Sequence, residues 1–255
     1  MTIKMRGFTL QEPSYFPDLA DFQLFSVMAN CPVKAGLIGS YFLGSKNADP
    51  THNFANPSLP LLKVGSPVIS QKYASLSRGG GYFDTQLPSS ATLTIVAISR
   101  YPAASALAAG VPIVSNYAKP DTIASGDTLF NRVGVQAYGN QASGVQGATY
   151  NAAITAVAGD YVITGGLIAS TPAVGAFYYD SNGAVQRTIA GMTGRSVSAK
   201  TLLIGATQSS TEWLTAGDIS AVLIFNTDIG AATNMQIVMD WLRKTVGVQA
   251  GIWSS

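Results

Sequence analysis

The sequence is poor in charged side chains, which make up 11% of its 255 residues, against about 25% in an ordinary soluble domain. Lys and Arg number 15 and Asp and Glu 13, so the formal net charge is only +2. Because charge keeps proteins soluble and apart, this composition favours a protein that works in an assembly, as a homo-oligomer or beside other subunits. The basic residues are scattered singly, which argues against a nucleic-acid partner.

Cysteine, histidine and glutamate are scarce as well: the chain has one Cys (Cys31), one His (His52) and two Glu, Glu12 and Glu212. A single cysteine forms no internal disulfide, and a zinc site needs more ligands than these. A serine hydrolase would depend on His52 as its base, but no G-x-S-x-G motif is present. A retaining glycosidase needs two carboxyl groups about 5–5.5 Å apart. We therefore predict no enzyme, no catalytic residue, no cofactor and no metal.

The chain also lacks a recognisable targeting segment. Its start, MTIKMRGFTLQEPSYF, has no apolar core of the length, about 7–15 residues, that a secretion signal needs. The uncharged window Tyr161 to Tyr179 is long enough to suggest a membrane span. Gly165-Gly166 and Ser170-Thr171-Pro172 interrupt it, however, so we expect two buried strands and a turn, with no membrane insertion.

The first 35 residues differ from the rest of the chain. Phe16, Leu19, Phe22 and Phe25 follow or flank Pro17 at helical spacing, which predicts a short amphipathic helix. One interpretation is an arm, Met1 to about Ala35, that docks on a neighbouring subunit. The alternative is that this segment packs on its own domain, since core contact requires the same spacing.

From Gly36 onward, short β-branched and aromatic runs alternate with Gly, Pro and Asn, which predicts an all-β chain built as a two-sheet antiparallel sandwich. The sequence Asp180-Ser181-Asn182-Gly183 predicts a hairpin turn. The predicted strands are Leu37–Leu43, Leu61–Val64, Tyr82–Thr85, Leu93–Ser99, Val111–Asn116, Thr128–Ala137, Tyr161–Ala169, Gly175–Asp180, Ala184–Ile189, Leu202–Ile204 and Ile219–Asn226.

One helix is predicted near the C-terminus, in AATNMQIVMDWLRKTVG, with Gly247 just past its end. Its apolar face has the spacing of an amphipathic helix and consists of Met235, Val238, Met239, Leu242 and Val246. The small-residue stretch Tyr101–Gly110 is predicted to be a loop. The expected division is an arm at 1–35, the sandwich at 36–247 and a tail at 248–255.

The segment from Thr201 to Gly247 resembles the end of a concanavalin A-like lectin/glucanase (laminin-G-like) jelly roll. The family has a strand with L-x-I-G, a loop with an aromatic residue, a G-x-I-x-x-V-x-I-[YF]-N strand and a short terminal helix. The matching residues here are Leu202, Ile204, Gly205, Trp213, Gly217, Ile219, Val222, Ile224, Phe225, Asn226, Trp241, Leu242, Lys244 and Gly247. Upstream, LIGSYFL and YASLSRGGGYFDTQLPSSATLTIVAISRY are similar to the family's opening strands, so the likeness covers about residues 36–247.

This resemblance implies a jelly-roll sandwich and a setting in a bacteriophage or prophage virion, where such modules occur in tails, fibres, spikes and capsid decorations. Two departures matter. Arg78-Gly79-Gly80 stands where relatives have an Asp/Asn-Gly pair, and the acidic residues that hold calcium in many relatives have no matching order here. The resemblance therefore does not carry a metal over to this chain.

One loop has the chemistry of sugar recognition, an aromatic platform flanked by amide, hydroxyl and carboxylate groups. The candidate glycan-binding residues are Trp213, Glu212, Asp218, Gln208 and Ser209. The alternative is that Trp213 anchors the loop against a sheet, because large aromatics are more often buried than presented. The prediction is a non-enzymatic virion structural protein whose partners are other virion subunits and itself; the alternative is a lectin domain for a host surface glycan.

Overall fold

The computed structural model describes residues 24, 26–47, 49–119, 125–141, 144–150, 154–169, 173–230 and 233–254. Within these ranges the regular secondary structure is mostly β. The strands are β1 (Leu37–Phe42), β2 (Leu62–Gly65), β3 (Val68–Ile69), β4 (Ala74–Leu76), β5 (Gly81–Pro88), β6 (Thr92–Arg100), β7 (Val111–Ser115), β8 (Thr128–Asn131), β9 (Val135–Gln141), β10 (Gly144–Tyr150), β11 (Tyr161–Ala169), β12 (Ala173–Tyr179), β13 (Val185–Gly191), β14 (Thr201–Ile204) and β15 (Gly217–Phe225).

Four helical segments have defined bounds. A short helix, α1 (Ala104–Ala109), joins β6 to β7. Near the C-terminus, α2 (Thr233–Trp241) runs directly into a π-helical segment, Leu242–Val246, and a final turn, α3 (Gly247–Gln249). None of the helices in the described ranges is long and apolar enough to cross a membrane.

The strands form two antiparallel sheets, which confirms the predicted two-sheet sandwich. The eight-stranded sheet has the order β13-β12-β11-β6-β15-β4-β3, with β1 also paired to β15. The seven-stranded sheet has the order β10-β9-β8-β7-β14-β5-β2. Strands distant in sequence are neighbours, such as β6 beside both β11 and β15. The eight-stranded sheet is therefore built from segments that are far apart in the chain.

An apolar core fills the space between the sheets. Alternation along β5 shows how the sequence builds it, because Phe83 and Leu87 point into this core while Tyr82 and Asp84 point outward and are partly exposed. The eight-stranded sheet contributes Ile95 and Val222, among others, from the facing side. This period of two fixes which face of each strand is buried.

A second apolar layer lies on the outer face of the eight-stranded sheet. Val96, Ile98, Leu223 and Phe225 point away from the first core and pack in one cluster with the C-terminal helix. Strands β6 and β15 are therefore buried on both faces and read as continuous apolar runs. The predicted helical face is confirmed, since five of its side chains are almost fully buried here: Met235, Val238, Met239, Leu242 and Val246.

Three local predictions were wrong. Thr128–Ala137 is two strands, because Val133 and Gly134 adopt positive φ angles of 45° and 121° and turn the chain between β8 and β9. A β-branched residue rarely adopts this conformation, so Val133 does not indicate a turn when only its residue type is considered. The stretch Tyr101–Gly110 contains α1, consistent with its four alanines and one leucine.

The third concerns Gly247, which does not end the helix: its φ is −67° and the chain continues into α3. The hairpin at 180–183 is confirmed, with Gly183 at a φ of 81°.

The predicted arm falls largely outside the described residues. Phe16, Leu19, Phe22 and Phe25 are not among them, so docking by these side chains stays a prediction. The end of the segment packs on the sandwich, because Leu24, Met28 and Cys31 are each only 1% exposed and belong to the second apolar layer. Any projecting arm therefore has its root at Leu24.

Candidate functional site

The loop between β14 and β15 carries the candidate glycan-binding residues and is held by its own side chains. Ser209 Oγ accepts hydrogen bonds from the backbone N–H groups of Thr211 and Glu212, at 3.2 and 3.1 Å. Thr207 Oγ1 donates to the carbonyl of Glu212 at 3.1 Å. These bonds support an unusual backbone at the next residue, Trp213, whose φ is 55°. Non-glycine residues held in this region are often part of a functional site.

Trp213 lies on an aromatic cluster at the outer face of the seven-stranded sheet. Its ring stacks on Phe130 from β8, with centroids 4.6 Å apart, and is tilted against Tyr117 at 4.0 Å. Tyr138 from β9 completes the cluster, 5.9 Å from Trp213. Phe130 and Tyr117 are buried, whereas Tyr138 and Trp213 are partly exposed. Trp213 therefore both anchors the loop, as the alternative interpretation expected, and leaves part of its surface open.

Gly110 allows the loop to approach this closely. Its φ is 84°, and a Cβ added there would lie 3.0 Å from Trp213 Cδ1. Any larger residue would therefore meet both a strained backbone and a tight contact with the indole.

An open cleft of about 570 Å³ borders the cluster; we call it the Trp213 cleft. Its volume lies within the range of small-molecule sites, about 300–1,000 Å³. The end of α1, the segment after β7, the β8–β9 turn, β9 and the β14–β15 loop supply its walls. The lining residues are Ala109, Tyr117, Arg132, Tyr138, Thr211, Glu212, Trp213, Leu214 and Thr215.

Glu212 is an ionised acceptor in this cleft. Its Oε2 accepts from the Tyr117 hydroxyl at 2.7 Å, and Lys119 Nζ lies 2.5 Å from Oε1. The hydrogen bonds from Lys119 and Tyr117 hold the pKa of the Glu212 carboxyl below its ordinary value. Burial, reinforced by the bond to Glu212, raises the pKa of Tyr117, so the phenol keeps its proton. A carboxylate fixed in this way suits hydrogen bonding to ligand hydroxyls.

Arg132 brings a second charged group to the cleft, and sequence reasoning missed it. It lies in the turn between β8 and β9, and it has no hydrogen bond or ion pair to a side chain in the described ranges. The next residue is Val133, whose φ is 45°. The described non-glycine residues with positive φ are Gln86, Val133 and Trp213. Trp213 lines this cleft and Val133 follows the lining residue Arg132. The proximity of these two unusual backbone conformations indicates the site, and it is visible only in the folded structure.

The other predicted site residues lie apart from the cleft. Gln208 donates its side-chain N–H to the carbonyl of Thr201 at 3.1 Å, and Ser209 is 2% exposed and supports the loop. Asp218 accepts from Ser75 at 2.5 Å and pairs with Arg100 at 2.9 Å on the eight-stranded sheet. The structure therefore brings together Glu212 and Trp213, and adds Tyr117, Arg132 and Tyr138 to them.

The sequence analysis predicted no catalytic residue and no metal site, and the carboxylates and His52 bear on both predictions. Glu12 lies outside the described residues, and no described aspartate or glutamate other than Glu212 lines the Trp213 cleft. Within the described ranges, no three His, Cys, Asp or Glu side chains are grouped as a metal would require. His52 packs edge-on against Phe54, with ring centroids 4.7 Å apart.

Comparison with known proteins gives a likeness of fold alone. No protein-family model and no curated protein matches the chain. Among solved structures, the botulinum neurotoxin serotype D binding domain has a TM-score of 0.57 at 12% identity, covering 86% of this chain and 53% of that one. The same domain in complex with N-acetylneuraminic acid gives the same values. The serotype G binding domain has a TM-score of 0.55 at 11% identity, over 82% of this chain and 51% of that one.

The chain thus spans about half the length of these binding domains. These neighbours are receptor- or ligand-binding domains. Membership of the concanavalin A-like family and a place in a virion stay predictions.

Proposed function

We propose that this protein is a non-catalytic carbohydrate-binding domain and that the Trp213 cleft is its binding site. The observation that carries this proposal is the combination in one open cleft of two partly exposed aromatic rings, a fixed carboxylate and a guanidinium without a hydrogen bond or ion pair to a described side chain. A sugar ring offers an apolar face of C–H groups and a rim of hydroxyls. Aromatic surface suits the first and paired donors and acceptors suit the second.

Each side chain has a distinct part in this proposal. Trp213 and Tyr138 provide the surface on which a sugar ring packs, Glu212 accepts from two neighbouring hydroxyls, and Arg132 donates. Because Lys119 and Tyr117 already hold Glu212 in place, little conformational entropy is lost when the ligand binds. The likeness in fold to a neurotoxin domain solved with N-acetylneuraminic acid supports the choice of ligand class, although that chain is about twice as long as the shared part.

The test is binding to a glycan array, followed by titration of the best ligand against variants. Trp213→Ala and Tyr138→Ala are expected to weaken binding by about tenfold or more each, since one lost aromatic contact of about 1.5 kcal/mol corresponds to that factor. The matched control is Tyr82→Ala, which removes an aromatic ring from the same face of the same sheet, where it contacts Arg78 outside the cleft.

Three results would count against the proposal. One is the absence of binding to any glycan. Another is a ligand whose affinity is unchanged in both cleft variants. The last is equal weakening by the Tyr82 control. Circular dichroism of each variant separates loss of the site from loss of the fold.

Assembly into a virion is the second candidate, and the observation that favours it is the low charge of the whole chain, 11%. The burial of Leu24 and Met28 sharpens its test, because a deletion must stop before Leu24 to leave the sandwich intact. A variant lacking residues 1–23 is expected to fold, to keep glycan binding and to lose incorporation into particles. Normal incorporation of that variant would refute docking by the arm.

A further inference from the structure

A second cleft lies at the helix-covered side of the molecule, formed by the C-terminal segment, the β12–β13 hairpin and the start of β11. It consists of two adjoining cavities of about 410 and 550 Å³. Both are lined by Tyr179, Asp180, Ser181 and Arg243, so they form one continuous surface, which we call the Arg243 cleft. No residue of the Trp213 cleft takes part in it.

Arg243 is held in this cleft by stacking rather than by an ion pair. Its Cζ lies 4.4 Å from the centroid of the Trp253 ring. In the described part of the chain, no acceptor forms a hydrogen bond or ion pair with its guanidinium, whereas the adjacent Lys244 pairs with Asp240 at 2.7 Å. A stacked guanidinium keeps the N–H groups of its edge available, in the planar arrangement that matches a carboxylate.

The backbone that carries Arg243 has a rare form. Leu242–Val246 is π-helical, and π-helical turns within α-helices occur frequently at functional sites. The wider turn sits between α2, whose apolar face is packed on the sheet, and α3, which leads into the tail. The cleft is thus built where the helix departs from regular geometry.

Trp253 is fixed by a glycine. Gly247 lies against the indole so closely that an added Cβ would be 2.1 Å from Trp253 Cε3. Its carbonyl also accepts from the backbone N–H of Ile252 at 2.7 Å. On another side, the Tyr161 ring meets Trp253 edge-on, with centroids 6.2 Å apart. The aromatic wall is therefore in position before a ligand arrives.

Two carboxylates line the same cleft. Asp180 accepts from the backbone N–H groups of Asn182 and Ala184, both at 2.9 Å, and from Gln186. These bonds, that of Ala184 first, keep the pKa of Asp180 below its ordinary value. Asp160 Oδ2 accepts from the N–H of Val157 at 2.9 Å. A carboxylate has about four acceptor positions. Those of Asp180 are largely taken by the hairpin itself, whereas Asp160 retains capacity for ligand hydroxyls.

We propose that the Arg243 cleft is a second carbohydrate site and that it takes a sugar bearing a carboxylate. Arg243 holds the ligand carboxylate through two parallel hydrogen bonds, Trp253 and Tyr161 contact the ring, and Asp160 accepts from ring hydroxyls. This inference goes beyond the Trp213 cleft, since it concerns other residues on the other sheet and selects for an acidic group. A chain with both sites would bind a polysaccharide or a glycan-covered surface at two points.

The experiment is a titration followed through the three tryptophan indole N–H signals in a ¹H–¹⁵N spectrum, assigned with Trp→Phe variants. The probes are D-glucuronate, D-glucose as the neutral match and acetate as the bare carboxylate. Glucuronate is expected to shift the Trp253 signal with higher affinity than either other probe. Arg243→Gln is expected to weaken that response about tenfold or more, as the loss of a charge-assisted pair of hydrogen bonds predicts.

The matched control is Arg78→Gln, which removes the other arginine that stacks on a single aromatic ring, that of Tyr82, away from this cleft. It should leave the Trp253 response unchanged. The inference fails if glucose or acetate shifts Trp253 as strongly as glucuronate, if Arg243→Gln has no effect, or if Trp253 does not respond. The Trp213 signal reports separately on the first cleft, so failure at one site is distinguishable from failure at the other.

Discussion

The outer faces of the two sheets are stabilised in opposite ways. Over the eight-stranded sheet, α2 together with Leu24, Met28 and Cys31 covers an apolar surface that includes Phe225 and Val96, both fully buried. Over the seven-stranded sheet, the described covering is the β14–β15 loop, anchored by Trp213. One end of that sheet is instead stabilised by a buried ion pair between Arg195 and Asp127, whose side chains are both 0% exposed.

This ion pair joins three separate segments. Arg195 Nη1 lies 2.6 Å from Asp127 Oδ1, and Nη2 lies 3.0 Å from Oδ2. Arg195 Nε also donates to the carbonyl of Ala91 at 2.8 Å, and Asp127 accepts from the backbone N–H of Asn140 at 2.9 Å. The aromatic cleft opens on the seven-stranded sheet, whereas the Arg243 cleft lies at the edge of the helix layer.

The largest loss of stability is expected from removing one partner of the buried ion pair between Arg195 and Asp127. Arg195→Met leaves the Asp127 charge buried without its partner, which should lower the free energy of unfolding by about 3–5 kcal/mol. Urea unfolding followed by circular dichroism measures this loss. The double variant Arg195→Met/Asp127→Leu removes both charges and should recover much of it. If the free energy of unfolding of Arg195→Met is within about 1 kcal/mol of the wild-type value, which is on the order of the experimental error, the ion pair does not stabilise this end of the sheet.

A smaller effect is expected on the apolar side. Val238→Ala removes two buried methyl groups from the helix–sheet contact, which should cost about 2 kcal/mol from lost burial and the cavity left behind. The adjacent Ile237→Ala is the matched control, because Val238 is 0% and Ile237 42% exposed, and it should change stability by no more than about 0.5 kcal/mol. Equal losses in the two variants would contradict the proposed role of this layer.

The smallest effect is a pH dependence at the Trp213 cleft. Because folding lowers the pKa of Glu212, its ionised form stabilises the folded state above the unfolded value of about 4.3, and that contribution is lost as the pH falls through the folded pKa. The difference in unfolding free energy between wild type and Glu212→Gln should therefore shrink on acidification. It should not exceed about 1 kcal/mol at neutral pH, since the pair with Lys119 is partly exposed.

High salt provides the control for this prediction, because screening should reduce the same difference at neutral pH. A difference that stays constant from neutral to acidic pH would mean that Glu212 titrates alike in the folded and unfolded chain.

Sequence patterns were enough to predict elements whose burial is regular. Tyr161–Ala169 has the predicted bounds, because a strand buried on both faces is a continuous apolar run. The helical face from Met235 to Val246 was predictable from another regular pattern, an apolar residue at every third or fourth position. The strand β10 was missed, since Gly144–Tyr150 contains two glycines and little β-branched content.

Half of the Trp213 cleft was predictable and half was not. Glu212 and Trp213 are adjacent in sequence, so one loop suggested both. Arg132 and Tyr138 lie some 80 residues earlier, and only the pairing of β8 with β9 and the covering loop brings them beside Trp213. Asp218 is close to Trp213 in sequence but not in the cleft. It follows Trp213 by only five residues, yet β15 places it beside Arg100 on the eight-stranded sheet.

The order of residues alone is enough to predict a weakly charged, all-β chain with two apolar-faced sheets and one amphipathic helix. The reason is that burial requires an apolar residue at every second position of a strand and at every third or fourth position of a helix, and this spacing is visible in the sequence. Which polar and aromatic groups meet depends instead on how the strands pair and the loops fold over them. Sites such as the Trp213 and Arg243 clefts join segments far apart in the chain, and their residues obey no local period.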